Sequence, residues 1–222
     1  MDISFLKNII SHGLQTIEMI GYTTITDHDT IKGSLLAKHY AESKNLDINI
    51  IIGAEYKTDC GDLIALFIDE EIQEKESLKF ISKVHEKGGI VILPHPYHAH
   101  QLNNQIINKV DIIEVFNSRS TISQNEKAKK LAEEFNKPTI AGNDAHVYSE
   151  LTLCLNFIDP ALAIRKSIFK IKGWNSKATK IKNIYKSQLI KGLKRKKIKL
   201  IKKQLVNLLI INLSNLKKSI IG

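Results

Sequence analysis

The residues able to do chemistry in this chain are Asp27-His28, Glu55, His95, Glu114 with Asn117, and Asp144 with His146. Each follows a short run of apolar or β-branched residues. Among them His28, Glu55, His95, Asp144 and His146 form a ligand set for divalent metals. Imidazole suits zinc, iron and manganese, and a carboxylate with two oxygens can bridge two ions. Taken singly, any of these histidines reads as a polar residue satisfied by a structural hydrogen bond. Five ligand-type residues at five consecutive strand ends read instead as one site. His98 and His100 follow the His95-Pro96-Tyr97 turn and are candidates to face that site. His12 and His39 fall on expected helices and His85 precedes a Gly-Gly turn, so these three keep a structural role.

The elements that must position these residues alternate along the chain. Phe5, Ile9, Ile10, Ile17 and Ile20 fall at helical spacing over 3–20, with Gly21 as the stop. A short strand over 22–26 runs into Asp27-His28, a helix covers about 31–44, and 48–53 is an almost continuous apolar run of the kind found in strands covered on both faces. The same pattern gives a helix near 75–87, strands at 89–93 and 111–116, a helix at 123–136 and a strand at 138–141. Such alternation predicts an α/β fold on parallel strands, either a barrel or an open sheet. The carboxyl ends of parallel strands share one rim, so residues far apart in sequence converge there.

At 43% hydrophobic and 25% charged, the 222-residue chain has enough apolar material for a sizeable core. No apolar run approaches the roughly 18 residues of a membrane span. An acid at position 2 stands where a signal peptide wants basic residues, and two cysteines, Cys60 and Cys154, make no disulfide framework. A reduced, cytoplasmic protein is the expectation. The formal net charge of +10 conceals two regimes: residues 1–159 hold 15 basic and 23 acidic residues, whereas 160–222 hold 18 Lys/Arg and no acid.

The motifs themselves resemble those of the PHP (polymerase and histidinol phosphatase) family. Thr26-Asp27-His28-Asp29-Thr30 with Gly33 is similar to its TDHDT..G motif, and Gly53-Ala54-Glu55 to its G-x-E. Gly88-Gly89 through His95-Pro96 is similar to its GG…HP, Ile113-Glu114-Val115 with Asn117 to its IEV.N, and Asp144-Ala145-His146 to its SDAH. The five occur in the family's order over about residues 14–158. The resemblance implies a distorted (β/α)7 TIM-like barrel over 1–158, with up to three divalent ions (zinc, manganese or iron) at its carboxyl rim and phosphoester hydrolysis as the activity. It also implies roles: His28 and His146 on one metal, Glu55 bridging the other two, Asp144 on one of these and His95 on the other. Clustered ions acidify a bound water and clamp phosphoryl oxygens as charge develops. Arg119, just after Asn117, is a candidate for a bidentate phosphate grip, with a solvated loop arginine as the alternative; His98 is the second candidate to meet substrate.

The chain departs from the family pattern in two places. The opening strand with D-x-H-x-H-T is missing, and Asp62 stands where many relatives place a metal-binding histidine; an aspartate favours a different metal. Asp2 lies roughly where a further family acid falls and is a candidate to complete the His28–His146 site. A barrel lacking a strand leaves two edges whose unsatisfied backbone groups cost about 1–3 kcal/mol each, against a net stability of about 5–15 kcal/mol. Either Met1 lies downstream of the true start, the explanation favoured by five intact motifs, or the chain is a degenerate relative that fills the gap with its tail or a partner.

Residues 159–222 form the basic extension. A helix is expected from Asp159 to about Lys170, and Ile198, Ile201, Leu205, Leu208, Leu209, Leu213, Leu216 and Ile220 predict an amphipathic helix with a basic face. Three readings stand for it: contact with a nucleic-acid backbone, an interfacial helix on anionic membrane, or a helix docked on the barrel with its lysines solvated. The function expected overall is a metal-dependent phosphoesterase acting on a phosphomonoester, a nucleotide or an oligonucleotide end. The alternative is a catalytically inactive PHP-like barrel that serves as a binding module.

Overall fold

The computed structural model describes residues 21–221, with side chains described as far as 212. The expected helix over 3–20, with His12, and Asp2 lie outside the described residues. The chain is mixed α/β, as expected, but among the described residues its strands form three sheets and no closed barrel. Strand β1 (Gly21–Thr24) pairs in parallel with β2 (Ile48–Ile51), and helix α1 (Lys32–Ser43) joins them. The central sheet has the order β3 (Gly53–Thr58), β4 (Gly61–Leu66), β5 (Ile90–Leu93), β6 (Ile112–Asn117) and β7 (Thr139–Gly142).

Only half of that sheet obeys the parallel expectation. β5, β6 and β7 run parallel, each crossing carried by a helix, whereas β3–β4 and β4–β5 are antiparallel. The apolar run 48–53 is therefore not one strand: it ends at Ile51, and Gly53 opens a hairpin. A Cβ on Gly53 would lie 2.6 Å from the Ala65 carbonyl oxygen, so only glycine lets the two hairpin strands approach there. The hairpin turns at Gly61, whose φ of +122° favours glycine. Ala54 and Tyr56 are buried on one face of the hairpin, while Glu55, Asp62 and Ile64 use the other.

Helix α2 (Ser77–Glu86) packs Phe80, Ile81 and Val84 into a core with Tyr56, Leu63, Leu93 and Ile113. Leu66, Ile90, Ile92 and Ile112 form a second cluster with Ile168. Helix α3 (Asn104–Lys109) is capped by Asn103, whose side chain accepts from the Ile106 N–H. Helix α4 (Ile122–Glu134) opens with a capping box between Thr121 and Gln124.

Beyond β7 the chain forms a second hairpin-like pair, β8 (Cys154–Phe157) with β9 (Gly173–Ser176), antiparallel across position 158. Between them the helix expected over 159–170 shrinks to one turn, α5 (Ile164–Ser167). Two longer helices follow: α6 (Ile181–Lys194), which the sequence pattern did not reveal, and α7 (Ile198–Ile221), which it did. α6 and α7 pack on each other at Gly192, where a Cβ would come 3.1 Å from Ile201.

Candidate metal centre

The five expected ligands approach one another through three loops and one hairpin. Just after β1 the chain bridges β3: the Glu55 N–H donates to the Asp27 carbonyl and the Asp29 N–H to the Glu55 carbonyl. This fixes His28 beside Glu55, with Nδ1 3.3 Å from Oε2. Glu55 lies inside β3 rather than at a strand end. Its other oxygen is 3.3 Å from His95 Nε2. In the hairpin register Glu55 faces Ile64, so Asp62 is its diagonal neighbour on the same face. Glu55, Asp62 and His95 each offer a ligand atom, all within 4.8 Å of one another. Asp62, first noted as a departure from the family motif, thus joins the site.

His95 sits two residues after β5 on a backbone with φ of +28°, and Asp144, two residues after β7, has φ of +46°. Left-handed backbone costs a non-glycine residue about 1–3 kcal/mol and persists where surroundings enforce it. For His95 the enforcing group is Glu114, whose Oε2 accepts from the His95 N–H at 2.7 Å and from Asn117 Nδ2 at 3.0 Å. Residues three apart on a regular strand point to opposite faces. A bulge between Glu114 and Phe116 in β6 breaks that rule and lets Glu114 and Asn117 meet. Gly142 makes room for the carboxylate, since a Cβ there would fall 1.7 Å from Glu114 Oε1.

Asp144 and His146 meet each other: His146 Nδ1 lies 2.9 Å from the Asp144 carbonyl and 3.4 Å from its carboxylate. The electrostatics tie this pair to the rest. Burial favours the neutral Asp144 and holds its carboxyl above the usual range, against the charges of His146 and His95. Burial also pushes Glu114 up to about 7. At Glu55 burial acts the same way, but the hydrogen bond from His95 and the charges of His95, His28 and His146 outweigh it, leaving the carboxyl below its ordinary value. Burial disfavours a His95 cation, yet Glu55, Glu114 and Asp144 together push the imidazole up to about 9.

These residues fit a divalent cation on two observations. The donor set is of imidazole and carboxylates. In addition His95 Nδ1 is buried with no hydrogen-bond partner among the described residues, an arrangement that costs about 1–3 kcal/mol when left unsatisfied.

The two substrate candidates fare differently. His98 is exposed and stands edge-on to His95, with ring centroids 5.7 Å apart. His100 also lies beside His95, with ring centroids 5.5 Å apart, and packs over the hairpin turn with Nε2 2.8 Å from the Asp62 carbonyl. Arg119 presents no free fork: Nη1 donates to both oxygens of Glu150 at 2.8 Å and Nη2 to Ser187 of α6 at 2.7 Å. It is not the solvated loop arginine either, since its side chain is nearly buried. Glu150 is wholly buried and also accepts from the His146 N–H at 2.8 Å and from the Thr179 hydroxyl. It therefore holds the His146 loop, the Arg119 loop and the extension together. Sequence reading missed Glu150, because an isolated acid whose partners lie elsewhere in the chain carries no local signal.

A family model described as PHP-associated matches residues 123–169. An uncharacterized protein of Methanocaldococcus jannaschii is 36% identical over 121 residues, covering 52% of this chain and 70% of that one. A second uncharacterized protein of the same organism is 31% identical over 134 residues, covering 54% of this chain and only 56% of its own length. Among solved structures PsfC of Pseudomonas syringae, at 13% identity, covers 95% of this chain and 91% of its own with a TM-score of 0.60, which is a likeness of fold. With the imidazoles and carboxylates of its motifs brought together in this way, and residues 123–169 matching the PHP-associated model, the chain belongs to the PHP family.

Proposed function

We propose that this protein is a metal-dependent phosphoesterase. The observation that carries the reading is the convergence of Glu55, Asp62 and His95, with His28 on the other oxygen of Glu55. His28, Glu55, Asp62, His95, Asp144 and His146 would hold divalent ions of the zinc, manganese or iron kind. Such ions supply Lewis acidity and an acidified water. The chain's own contribution is to hold the ligands. Glu114 anchors the strained His95 backbone, Glu150 anchors that of His146, and His98 stands exposed where a phosphoryl group would enter.

The distorted (β/α)7 barrel belongs to this reading, with residues 1–158 bearing the site and 159–222 as the extension laced to it by β8–β9 and Arg119–Ser187. So does a reduced, cytoplasmic location, with Cys60 and Cys154 free and buried. Its substrate would be a small phosphomonoester, a nucleotide or an oligonucleotide end. Hydrolysis of p-nitrophenyl phosphate and of its diester, with zinc, manganese or iron added back singly, tests it. Metal-dependent turnover that falls at least about a hundredfold in Asp144→Ala is the expected result. No turnover with any of the three metals would overturn it.

A second reading, an inactive barrel that binds without hydrolysing, draws support from Arg119: its guanidinium is spent on Glu150 and Ser187 and leaves no fork for a phosphate. Under that reading Asp144→Ala leaves binding by the extension intact.

A further inference from the structure

The two C-terminal helices bury the wrong residues for a simple docked hairpin. α6 turns Asn183, Ser187 and Gly192 inward, and α7 turns Gln204 inward. Outward, α7 presents Ile198, Leu205 and Leu209, exposed by 67, 46 and 61%, and α6 presents Leu193. Ile201 does pack inward at Gly192, but the most buried positions are polar or small while these large apolar side chains lie outside, the reverse of what burial rewards in water. The inward polar groups have their reason, since Ser187 receives Arg119 and Asn183 donates to Ser149. The outward leucines have none within the described residues.

Charge decides what fits over them. Lys202 lies in the same stripe, four residues after Ile198 and three before Leu205, and is exposed with Lys199 and Lys203. Residues 160–222 add 18 Lys/Arg and no acid. A second copy laid on this face would confront Lys202 with a like charge in a desolvated contact. A nucleic acid would satisfy the lysines but leave the leucines in water, and the stripe offers no aromatic ring for bases to stack on. At a bilayer interface both needs are met. Leucine and isoleucine enter the acyl boundary, while lysines reach sideways to anionic headgroups. Among the described residues no helix is long and apolar enough to cross a membrane, so the contact is with a surface.

We propose that the α6–α7 hairpin docks this protein on an anionic phospholipid surface, through the Ile198–Lys202–Leu205–Leu209 stripe. The inference does not depend on the hydrolytic reading. The test is co-sedimentation of the full chain with phosphatidylcholine vesicles, with and without phosphatidylglycerol. Binding only to the anionic vesicles, weakened by salt and reduced about tenfold or more in L205S/L209S, is expected. The factor follows from withdrawing two half-exposed leucines from water. Circular dichroism and urea melts should be unchanged in that variant.

Four results would overturn the proposal. The first is equal binding to neutral vesicles, or to none, by a monomeric protein. The second is a concentration-dependent dimer that L205S/L209S abolishes. The third is RNA or DNA binding lost in K202E but kept in L205S/L209S. The fourth is a large drop in stability of L205S/L209S, which would mean that the chain covers this face itself.

Discussion

Replacing Glu150 with alanine removes the group that three segments share, and its cost can be worked from the contacts. Glu150 has no exposure to solvent, and Arg119, held at 2.8 Å through both carboxylate oxygens, is 10% exposed. Removing one partner of a buried pair leaves an uncompensated charge, at about 3–5 kcal/mol. The N–H groups of His146 and Val147 and the Thr179 hydroxyl lose their acceptor as well. These lie near the surface, where water recovers part of the loss, so about 4 kcal/mol is a fair total. Against a net stability of about 5–15 kcal/mol, that shifts the urea midpoint down by more than about 1 M. The Arg119→Ala variant strands the opposite charge and should cost a similar amount. The double variant removes both, so it should be more stable than the sum of the two by about 2 kcal/mol or more. Equilibrium urea unfolding of the four proteins, followed by circular dichroism, measures this. A Glu150→Ala cost under about 1 kcal/mol, or strict additivity with Arg119→Ala, would refute the idea that this pair ties the extension to the His146 loop.

Two other outcomes follow from the site. In metal-free protein the folded pKa of Glu114 is raised to about 7 and that of His95 to about 9. Both groups therefore bind protons more tightly folded than unfolded, and the stability they contribute is full below their unfolded values and lost as pH rises through the folded ones. The thermal midpoint of the metal-free chain should fall by several degrees between about pH 5 and pH 9. Added zinc or manganese should reverse the trend, because metal and proton compete for the same ligands; a rising midpoint without metal would contradict it. Gly142→Ala drives a methyl into the space of the Glu114 carboxylate. It should cost about 1–3 kcal/mol or more and weaken metal binding, as measured by urea unfolding and equilibrium dialysis; a neutral substitution would mean that Glu114 is not fixed beneath His95.

The sequence made the candidate metal ligands legible because strand ends on a parallel sheet share a rim, and the positions of His95, Asp144 and His146 just after β5 and β7 follow that rule. It misled at Glu55. The run 48–53 looks like one buried strand, whereas its glycine starts an antiparallel hairpin that carries Glu55 and Asp62 on one face. The alternation Ala54-Glu55-Tyr56-Lys57 is itself a strand pattern, but reading Gly53 as the end of the preceding apolar run masks it. Glu114 was recognisable as a motif residue, but not its placement, which depends on a bulge that no periodicity announces. Arg119 reads from sequence as a candidate phosphate grip, with a solvated loop arginine as the alternative, because Glu150 and Ser187, its partners, lie 31 and 68 positions away. In the extension the apolar stripe of α7 was visible; that much of it faces outward was not, because the pairing of α6 and α7 is set by Gly192 and by polar contacts from α6 to the rest of the fold.

The most direct test of the central claim is the metal content of the purified full chain, by elemental analysis after extensive dialysis. At least one tightly held divalent ion per chain is expected from the Glu55–Asp62–His95 cluster, and its loss in Asp62→Ala and in His95→Ala chains that still fold. A folded, metal-free chain that takes up no zinc, manganese or iron on titration would contradict the account.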